Sequence, residues 1–378
     1  MDPAAAIAAS RPLGAGFIGE GVLGHRTVQA QLERLVGSRD DVVPWFETVG
    51  RPGRFGSLFV RPFDALAGLD FHAVRWRLRW SFAARALLRR HIDRTDAVFI
   101  DSQSCALAMR RELRRVAGIV SVDVTGRQFA RLEYHQRSRF KRVSDLPAIA
   151  LERRALSDAA VVMAWTDWAA DSLRTEYGID ERRIAVLHPG VDAAPLLAID
   201  RGESRSERVG LLFLGNDVRR KGLEELFAAL PMLPPSVELD VVTTDPVDAG
   251  ERVHVHRGLA PGTPAMIERM RSADVLVLPS RADAAPLAVL EGMAAGLPVV
   301  STNVAAIPEL VGDAGLLVPP RDPAALAGAV SQLVSDRQRR EWLGRRARER
   351  VRARYDAQVQ VPRLLELMRT AAESGSER

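Results

Sequence analysis

The sequence predicts an α/β fold of two doubly wound, Rossmann-like domains with a cleft between them. Its 378 residues exceed the length that one hydrophobic core usually serves, so two domains are expected. Short apolar runs alternate with helical segments, a pattern typical of parallel sheets that are covered on both faces. Residues 193–208 are polar, contain Gly and Ser and show no periodicity, as expected of a linker.

The first domain is expected over residues 1–192. Helical segments such as "SFAARALLRRHI" and "CALAMRRELRRVA" accompany three runs that resemble parallel strands. These runs are "DAVFIDS" (96–102), "GIVSVDV" (118–124) and "AAVVMAW" (159–165).

The second domain is expected over residues 209–350, where the pattern is clearer. The last predicted helix of its sheet begins with Asp322 as N-cap and Pro323 in the first turn. Residues 351–378 are expected to form a helix that packs back toward the first domain. Six short apolar runs predict strands, at 209–215, 237–245, 252–258, 274–280, 297–303 and 314–320.

The composition is that of a globular protein, with 47% hydrophobic and 27% charged residues. No apolar run is long enough to span a membrane, and the start "MDPAAAIAASRPLG" lacks a signal-peptide pattern. The single cysteine, Cys105, excludes an internal disulfide, which suits a reducing cytoplasm. No His/Cys cluster has metal-ligand spacing, so neither a metal nor a cofactor is expected.

The charge is distributed unevenly along the chain. Residues 1–154 contain 26 Lys and Arg against 16 Asp and Glu, whereas the remainder contains 27 against 32. A basic amino-terminal half suggests an anionic partner, such as a phosphorylated substrate, an anionic membrane or a nucleic acid. Only Lys141 and Lys221 are lysines among the 53 basic residues, which draws attention to both.

The stretch "PSRADAAPLAVLEGM" reads as a loop from a strand into a helix. Ligands of open parallel sheets bind at such loops, beyond the carboxyl ends of the strands. The helix N-terminus near Pro286 suits a phosphate, and the carboxylates of Asp283 and Glu291 suit sugar and ribose hydroxyls. Alternatively, Asp283 caps the loop and Glu291 is a solvated helix residue.

The stretch "LFLGNDVRRKGLEEL" (212–226) is a second strand-to-helix connection. Its strand ends at Gly215, and Arg219, Arg220 and Lys221 precede the next helix. Cations above a helix N-terminus would form a diphosphate site. The alternative is a solvated basic turn.

Several motifs together resemble a known family. "GNDVRRKG", followed by "ADVLVLPSRADAAPLAVLEGMAAGLPVVSTNVAAIPELVGDAGLLVPPRDPAALA", resembles the donor-binding domain of retaining GT-B glycosyltransferases of the family 4 type. Upstream, "TDWAADSLRTEYGIDERRIAVLHPGVD" (166–192) resembles the interdomain segment of that family. The resemblance covers residues 160–335 and implies two Rossmann-like domains with a nucleotide-sugar in the cleft.

The resemblance also implies roles for individual residues. Asp283 and Glu291 match paired carboxylates that contact the donor sugar and the ribose, and Lys221 with Arg220 matches the basic residues on the diphosphate. Further donor-binding positions are implied at the two loops, at Gly215, Arg219, Ala285, Pro286 and Leu287.

The sequence departs from the family pattern at four places. The first carboxylate is Asp283 instead of the usual Glu, which bears on the donor sugar. Asn216 replaces a frequent Arg, so Arg219 or Arg220 is expected to supply that charge, and "AAIPE" (305–309) replaces a glycine pair. The amino-terminal histidine of the family has no secure match. Candidates near the reacting centre are Asp123, then His25 and His135.

The glycines of "GAGFIG" (14–19) fit the dinucleotide fingerprint G-x-G-x-x-G. That motif requires a strand before it and a helix after it, whereas Pro12 argues against the strand and Gly21 and Gly24 weaken the helix. A glycine-rich loop leading into a helix from about His25 is expected instead. Gly19 and Gly21 would then lie at the lip of the cleft, where backbone amides meet donor phosphate or acceptor.

The segment "VRWRLRWSFAARALLRRHI" (74–92) combines Trp76, Trp80 and Phe82 with six arginines. Such a segment suits a helix on an anionic membrane surface, as in enzymes with lipid-linked acceptors. The alternative is a helix with one core face and one solvated arginine face. No nucleic-acid-binding module is recognised, so nucleic acid is not an expected partner.

The function expected from the resemblance is retaining transfer of a sugar, of the hexosyl type, from a nucleotide-sugar donor to a glycan, lipid-linked or small-molecule acceptor. Lys221, Arg220 and the helix near Pro286 would stabilise the leaving diphosphate without a metal ion. Two alternatives remain, a GT-B sugar-nucleotide epimerase and a catalytically silent nucleotide-sugar-binding subunit. The expected location is cytoplasmic, with possible attachment to the inner membrane face.

Overall fold

The computed structural model describes residues 11–21, 23–50, 72–132, 139–201, 208–248 and 250–376. These residues form two six-stranded parallel sheets with helices on their faces, as the sequence predicts. The carboxyl ends of neighbouring strands therefore lie along one edge of each sheet.

The first sheet has the strand order β2-β1-β3-β4-β5-β6. Its strands are β1 (Leu13–Glu20), β2 (Val42–Val49), β3 (Ala97–Ile100), β4 (Ala117–Val122), β5 (Val161–Ala164) and β6 (Ile184–Val186). The helices of this half are α1 (Leu23–Val36), α2 (His72–His91), α3 (Gln103–Ala106), α4 (Glu112–Arg115), α5 (Gly126–Arg131), α6 (Arg139–Asp158) and α7 (Asp167–Thr175), with 3-10 turns at Ile92–Arg94 and Glu181–Arg183.

The second sheet has the order β12-β11-β10-β7-β8-β9. Its strands are β7 (Val209–Leu214), β8 (Val237–Val242), β9 (Val253–His256), β10 (Val275–Leu278), β11 (Val299–Thr302) and β12 (Gly315–Val318). Its helices are α9 (Leu223–Ala229), α10 (Pro264–Ser272), α11 (Leu287–Ala294), α12 (Ile307–Val311), α13 (Pro323–Ser335) and α14 (Arg337–Arg354), with a 3-10 turn at Leu230–Met232.

The glycine motif near the amino terminus lies inside β1, so the prediction of a glycine-rich loop over "GAGFIGEGVLGH" (14–25) is wrong. The strand continues to Glu20, and α1 begins at Leu23. β1 begins at Leu13, one residue after Pro12, where the missing proline N–H costs no ladder hydrogen bond. A Cβ at Gly16 would lie 2.2 Å from the ring of Trp45, and one at Gly14 would lie 2.4 Å from a backbone oxygen. These glycines therefore allow close packing against the strand.

Two crossings connect the halves of the chain. The expected linker begins with a short helix, α8 (Ala194–Leu197), in which Leu196 is buried. Near it, the Val191 N–H donates to the carbonyl of Tyr355 at 2.8 Å, and the Ala357 N–H donates to the carbonyl of Val191 at 3.0 Å. The chain then enters α15 (Ala357–Ser376), which packs on β3, β4 and α1 of the first sheet.

Helix α2 directs most of its aromatic residues inward. Trp80 is fully buried and Trp76 packs against the same core, while Phe82 is 56% exposed. Arg77 on this helix donates to Glu152 at 3.0 Å. The arrangement matches a helix with one core face and one charged outer face.

Candidate active site in the cleft between the domains

The carboxyl edges of the two sheets meet across a cleft. A Cβ on Gly24, in the first turn of α1, would lie 3.1 Å from a side-chain carbon of Leu287 at the start of α11. Glu309 of α12 reaches the other domain, where its carboxylate accepts hydrogen bonds from the N–H groups of Asp167 and Trp168 at 2.9 and 3.1 Å. Sequence analysis assigned no role to Glu309. Ligands of such sheets bind at this edge.

Three charged side chains converge on the second-domain side of the cleft. The Lys221 Nζ lies 2.8 Å from Asp283 Oδ2, and the Arg220 Nη1 lies 3.2 Å from the same oxygen. All three side chains are only 12 to 13% exposed. Burial alone would raise the pKa of Asp283, but the two cations outweigh burial and hold it below its usual value. The carboxylate is therefore ionised and holds both cations in place.

Two glycines allow this cluster to form. Gly215 has a φ of +149°, and a Cβ there would lie 2.2 Å from the aliphatic stem of Lys221. Gly222 has a left-handed φ of +80°, and a Cβ there would lie 2.0 Å from the carbonyl oxygen of Pro279. A side chain at Gly222 would push the two loops apart, and one at Gly215 would displace Lys221 within its own loop. The ion pair of Lys221 with Asp283 therefore depends on glycine at both positions.

The remaining polar residues of these loops have other contacts. Arg219 is 76% exposed in its side chain and lies 4.0 Å from Glu224, outside the cluster, so Arg220 is the arginine that the structure brings to Asp283. Arg281, which sequence analysis did not single out, pairs with Glu224 and Glu225 and fixes the loop onto α9. Asn216 accepts hydrogen bonds from the loop after β8.

Glu291 lies on the second turn of α11 and is partly buried. Pro286 is the N-cap of this helix, Leu287 is its first residue, and Ala285 before them is buried. Burial raises the pKa of Glu291 to about 7, and the nearby charge of Lys221 offsets only part of this effect. Such a pKa is not that of a fully solvated carboxylate.

A second polar cluster lies at the carboxyl edge of the first sheet. The Nδ1 of His25 lies 3.0 Å from Asp101 Oδ2, and the imidazole packs against the ring of Trp165. Burial would lower the pKa of His25, but the Asp101 carboxylate reverses the shift and raises it. Burial raises the pKa of Asp123 to about 6, which His25 opposes and Glu20 reinforces. His25 and Asp123 were predicted from the sequence, whereas Asp101 was not.

The glycines named for donor contacts lie at the end of β1. A Cβ on Gly19 would lie 2.6 Å from the Oε1 of Gln29 on α1, and one on Gly21 would lie 3.1 Å from the side chain of Thr48. In the fold, Gly19 thus packs closely below α1, and Gly21 packs against the end of β2. His135 lies outside the described residues.

No group of His, Cys, Asp and Glu side chains within the described ranges has the arrangement of a metal site. Across the same residues, every helix is too short or too polar to span a bilayer. Cys105 is buried and unpaired.

Known sequence families match both halves of the chain. The model for "Glycosyltransferase Family 4" matches residues 25–194, and the model for "Glycosyl transferases group 1" matches residues 208–336. Together the matches include both loops of the Lys221 cluster and the His25 cluster. The chain belongs to the family 4 glycosyltransferases.

Curated relatives within this family match over about half of the chain. A D-inositol 3-phosphate glycosyltransferase of Paenarthrobacter aurescens is 33% identical over 52% of this chain and 54% of the relative. A phosphatidyl-myo-inositol mannosyltransferase of Mycolicibacterium smegmatis is 34% identical over 59% of this chain and 58% of the relative. The chain spans about half the length of the curated relatives that it matches.

Solved structures confirm the GT-B architecture over nearly the whole chain. Sucrose-phosphate synthase from Thermosynechococcus elongatus superimposes with a TM-score of 0.71 at 19% identity, covering 97% of this chain and 100% of that one. The Anabaena protein HepE, solved with UDP and glucose, gives 0.67 at 16% identity, covering 94% and 99%. At these identities the likeness concerns the fold alone.

Proposed function

We propose that the protein transfers a sugar from a nucleotide-sugar donor to an acceptor hydroxyl, with retention at the anomeric carbon. The observation that carries this proposal is the Lys221–Arg220–Asp283 cluster, which holds two cations in the cleft. The family membership and the names of the relatives support transfer and do not favour the epimerase or the silent subunit.

The cluster suits the leaving diphosphate. Lys221 and Arg220 supply positive charge, and the N-terminus of α11 adds backbone N–H groups near Leu287. These groups are already fixed before reaction, so they stabilise developing negative charge with little reorganisation. In this proposal Asp283 contacts the donor sugar and Glu291 the ribose. The diphosphate must compete with Asp283 for the two cations.

Retention follows if the leaving diphosphate also takes the acceptor proton. The bond from the anomeric carbon to the phosphate oxygen breaks while the acceptor oxygen bonds to the same face. The acceptor proton then passes to the departing phosphate oxygen. Asp123 lies at the end of β4, close enough to His25 for their charges to interact, on the acceptor side of this centre.

The donor class is proposed as a hexose carried by a nucleoside diphosphate. Two names support this choice, the mannosyltransferase of Mycolicibacterium smegmatis and HepE solved with UDP and glucose. Thermal unfolding with UDP-glucose, GDP-mannose and related donors tests it, since a ligand at 100 times its Kd adds about 2.7 kcal/mol. A melting temperature unchanged by every donor, with no donor consumption, would contradict the proposed function.

Metal independence is part of the same proposal, because the two cations can take the place of a divalent ion at the diphosphate. Activity is expected to survive excess EDTA. Loss of activity that Mg²⁺ or Mn²⁺ restores would contradict this expectation.

A cytoplasmic location, with attachment to an anionic membrane face through α2, completes the proposal. The buried, unpaired Cys105 suits a reducing compartment, and the exposed Phe82 supplies an apolar contact on the outer face of α2.

A further inference from the structure

The first-domain floor is a polar cluster of Asp101, Asp123, His25 and Gln29 at the carboxyl edge of the first sheet. Phe17 and Phe99 pack beneath α1, and side chains two residues further along a strand project to the same face. Asp101 therefore lies on the α1 face of the sheet, beside Gly19 of the neighbouring strand. His25 and Gln29, one helical turn apart, cover it from α1.

Two buried oxygen atoms of this floor accept no hydrogen bond from the described residues. The Oδ1 of Asp101 and the Oε1 of Gln29 are buried and have no partner among the described residues. The Gln29 amide nitrogen donates to Glu33 at 3.2 Å, which orients its oxygen toward the end of β1. Buried acceptors nearly always bond to a donor, so a ligand or water that donates hydrogen bonds suits this place.

The charges of the floor point in the same direction. Glu20, Asp101 and Asp123 surround His25, whose Nδ1 already faces Asp101 at 3.0 Å. Trp165, which also packs against the imidazole ring, contributes no charge. Three carboxyl groups thus face one imidazole. A phosphate, which brings more negative charge and mainly accepting oxygens, is disfavoured next to them.

We propose that the floor binds an uncharged, hydroxyl-rich ring of the acceptor and disfavours a phosphate at the same position. Hydroxyl groups donate to Asp101, Asp123 and Gln29, which a phosphate dianion cannot do. The inference rests on the proposed function and adds the class of acceptor to it. It separates this chain from relatives whose names specify inositol 3-phosphate.

The test compares matched ring compounds with and without phosphate. Dissociation constants for myo-inositol, inositol 3-phosphate, mannose and mannose 6-phosphate are measured by ligand-observed NMR, with a nucleoside diphosphate bound to the protein. The uncharged member of each pair is expected to bind at least ~10-fold more tightly. Equal or tighter binding of the phosphates, or no binding of any ring, overturns the proposal.

Two variants assign the preference to the floor. Asp123→Asn removes a charge while retaining an accepting oxygen, so the preference for the uncharged ring is expected to fall several-fold. Asp171→Asn, at an exposed position on α7, is the matched control and is expected to leave the preference unchanged. An unchanged preference in Asp123→Asn, or the same loss in both variants, also overturns the assignment.

The same protein samples separate this proposal from the proposed function. If donors stabilise the protein and are consumed while phosphates bind the floor, only the acceptor inference fails. If no donor binds, the proposed function itself fails.

Discussion

Each side of the cleft contains an aspartate, and the pKa values of the two are shifted in opposite directions. Asp283 and Asp123 both follow the carboxyl end of a strand, and burial acts on both. Two cations lower the pKa of Asp283. At Asp123 burial outweighs the opposing effect of His25, Glu20 adds to it, and the pKa rises to about 6. The number of cations nearby, rather than the depth of burial, decides the direction in which the pKa of each carboxyl group shifts.

This difference divides the cleft into two chemical surfaces. On the second-domain side, cations are held in position before any ligand binds, as an anionic leaving group requires. On the first-domain side, oxygens that accept hydrogen bonds predominate, as the hydroxyl groups of an acceptor ring require. Substituting residues on one side at a time shows whether the two surfaces act separately.

The largest effect is expected from Lys221→Ala. Its charge contact strengthens as negative charge develops on the leaving diphosphate, so turnover is expected to fall about 10²- to 10³-fold while donor affinity changes less. Steady-state kinetics and donor titration measure both quantities. Arg219→Ala, on the same loop but exposed, is the matched control. A change in KM alone would contradict a role of Lys221 in stabilising the transition state. Circular dichroism must show that the variant is folded.

The next effect concerns stability against pH. The folded-state pKa values of Asp123 and Glu291 are about 6 and about 7, above their ordinary values. Both groups therefore favour the folded state at low pH, and that stability is lost as pH rises from about 4 to 7. The free energy of unfolding is measured with urea from pH 4 to 8. It is expected to decline less steeply with rising pH in Asp123→Asn and Glu291→Gln than in wild type, by roughly 1–3 kcal/mol each. Parallel curves for variants and wild type would show that both carboxyl groups are solvated.

A smaller effect is expected from Glu291→Ala on donor binding. Ribose hydrogen bonds are made equally in the ground and transition states, so the donor KM is expected to rise about 10-fold with kcat little changed. Michaelis kinetics with the donor varied measure this split. A fall in kcat equal to that of Lys221→Ala would place both residues on the leaving group and remove the distinction between them.

The smallest effect concerns α2, which lies outside the cleft. If its outer face docks on anionic lipid, binding to phosphatidylserine vesicles should weaken steeply as salt rises and should be reduced by Phe82→Ser. Sedimentation with the vesicles measures this binding. Equal binding to neutral and anionic vesicles would exclude this docking. Because Trp80 lies in the core, only Phe82 is used in the test.

The sequence predicted those parts of the fold that depend on local pattern. All six strands of the second sheet lie within predicted runs, because buried parallel strands are rich in β-branched residues. β1 was missed because three glycines, needed for packing against Trp45 and Gln29, obscure the apolar pattern. These packing partners are distant in the sequence, so no local pattern around β1 reveals them.

The candidate site shows the same limit. The loops containing Lys221 and Asp283 could be recognised separately, but the two residues are 62 positions apart. Their contact depends on Gly222, where the loops approach closely, and on Gly215, which leaves room for the Lys221 stem. Asp101 gave no signal, since "FIDS" reads as an ordinary strand end. Its pairing with His25, 76 positions away, arises only when α1 covers β3.

The return of α15 to the first sheet has a consequence for synthesis. The ribosome makes all strands of that sheet before it reaches residues 357–376, yet Leu364, Leu365 and Met368 of α15 complete its core. The apolar face of β3 and β4 therefore stays uncovered while the second domain is being translated. Domains usually fold in the order of their synthesis. Here the domain that is made first is completed after the second one, and the nascent chain needs protection from aggregation until α15 has emerged.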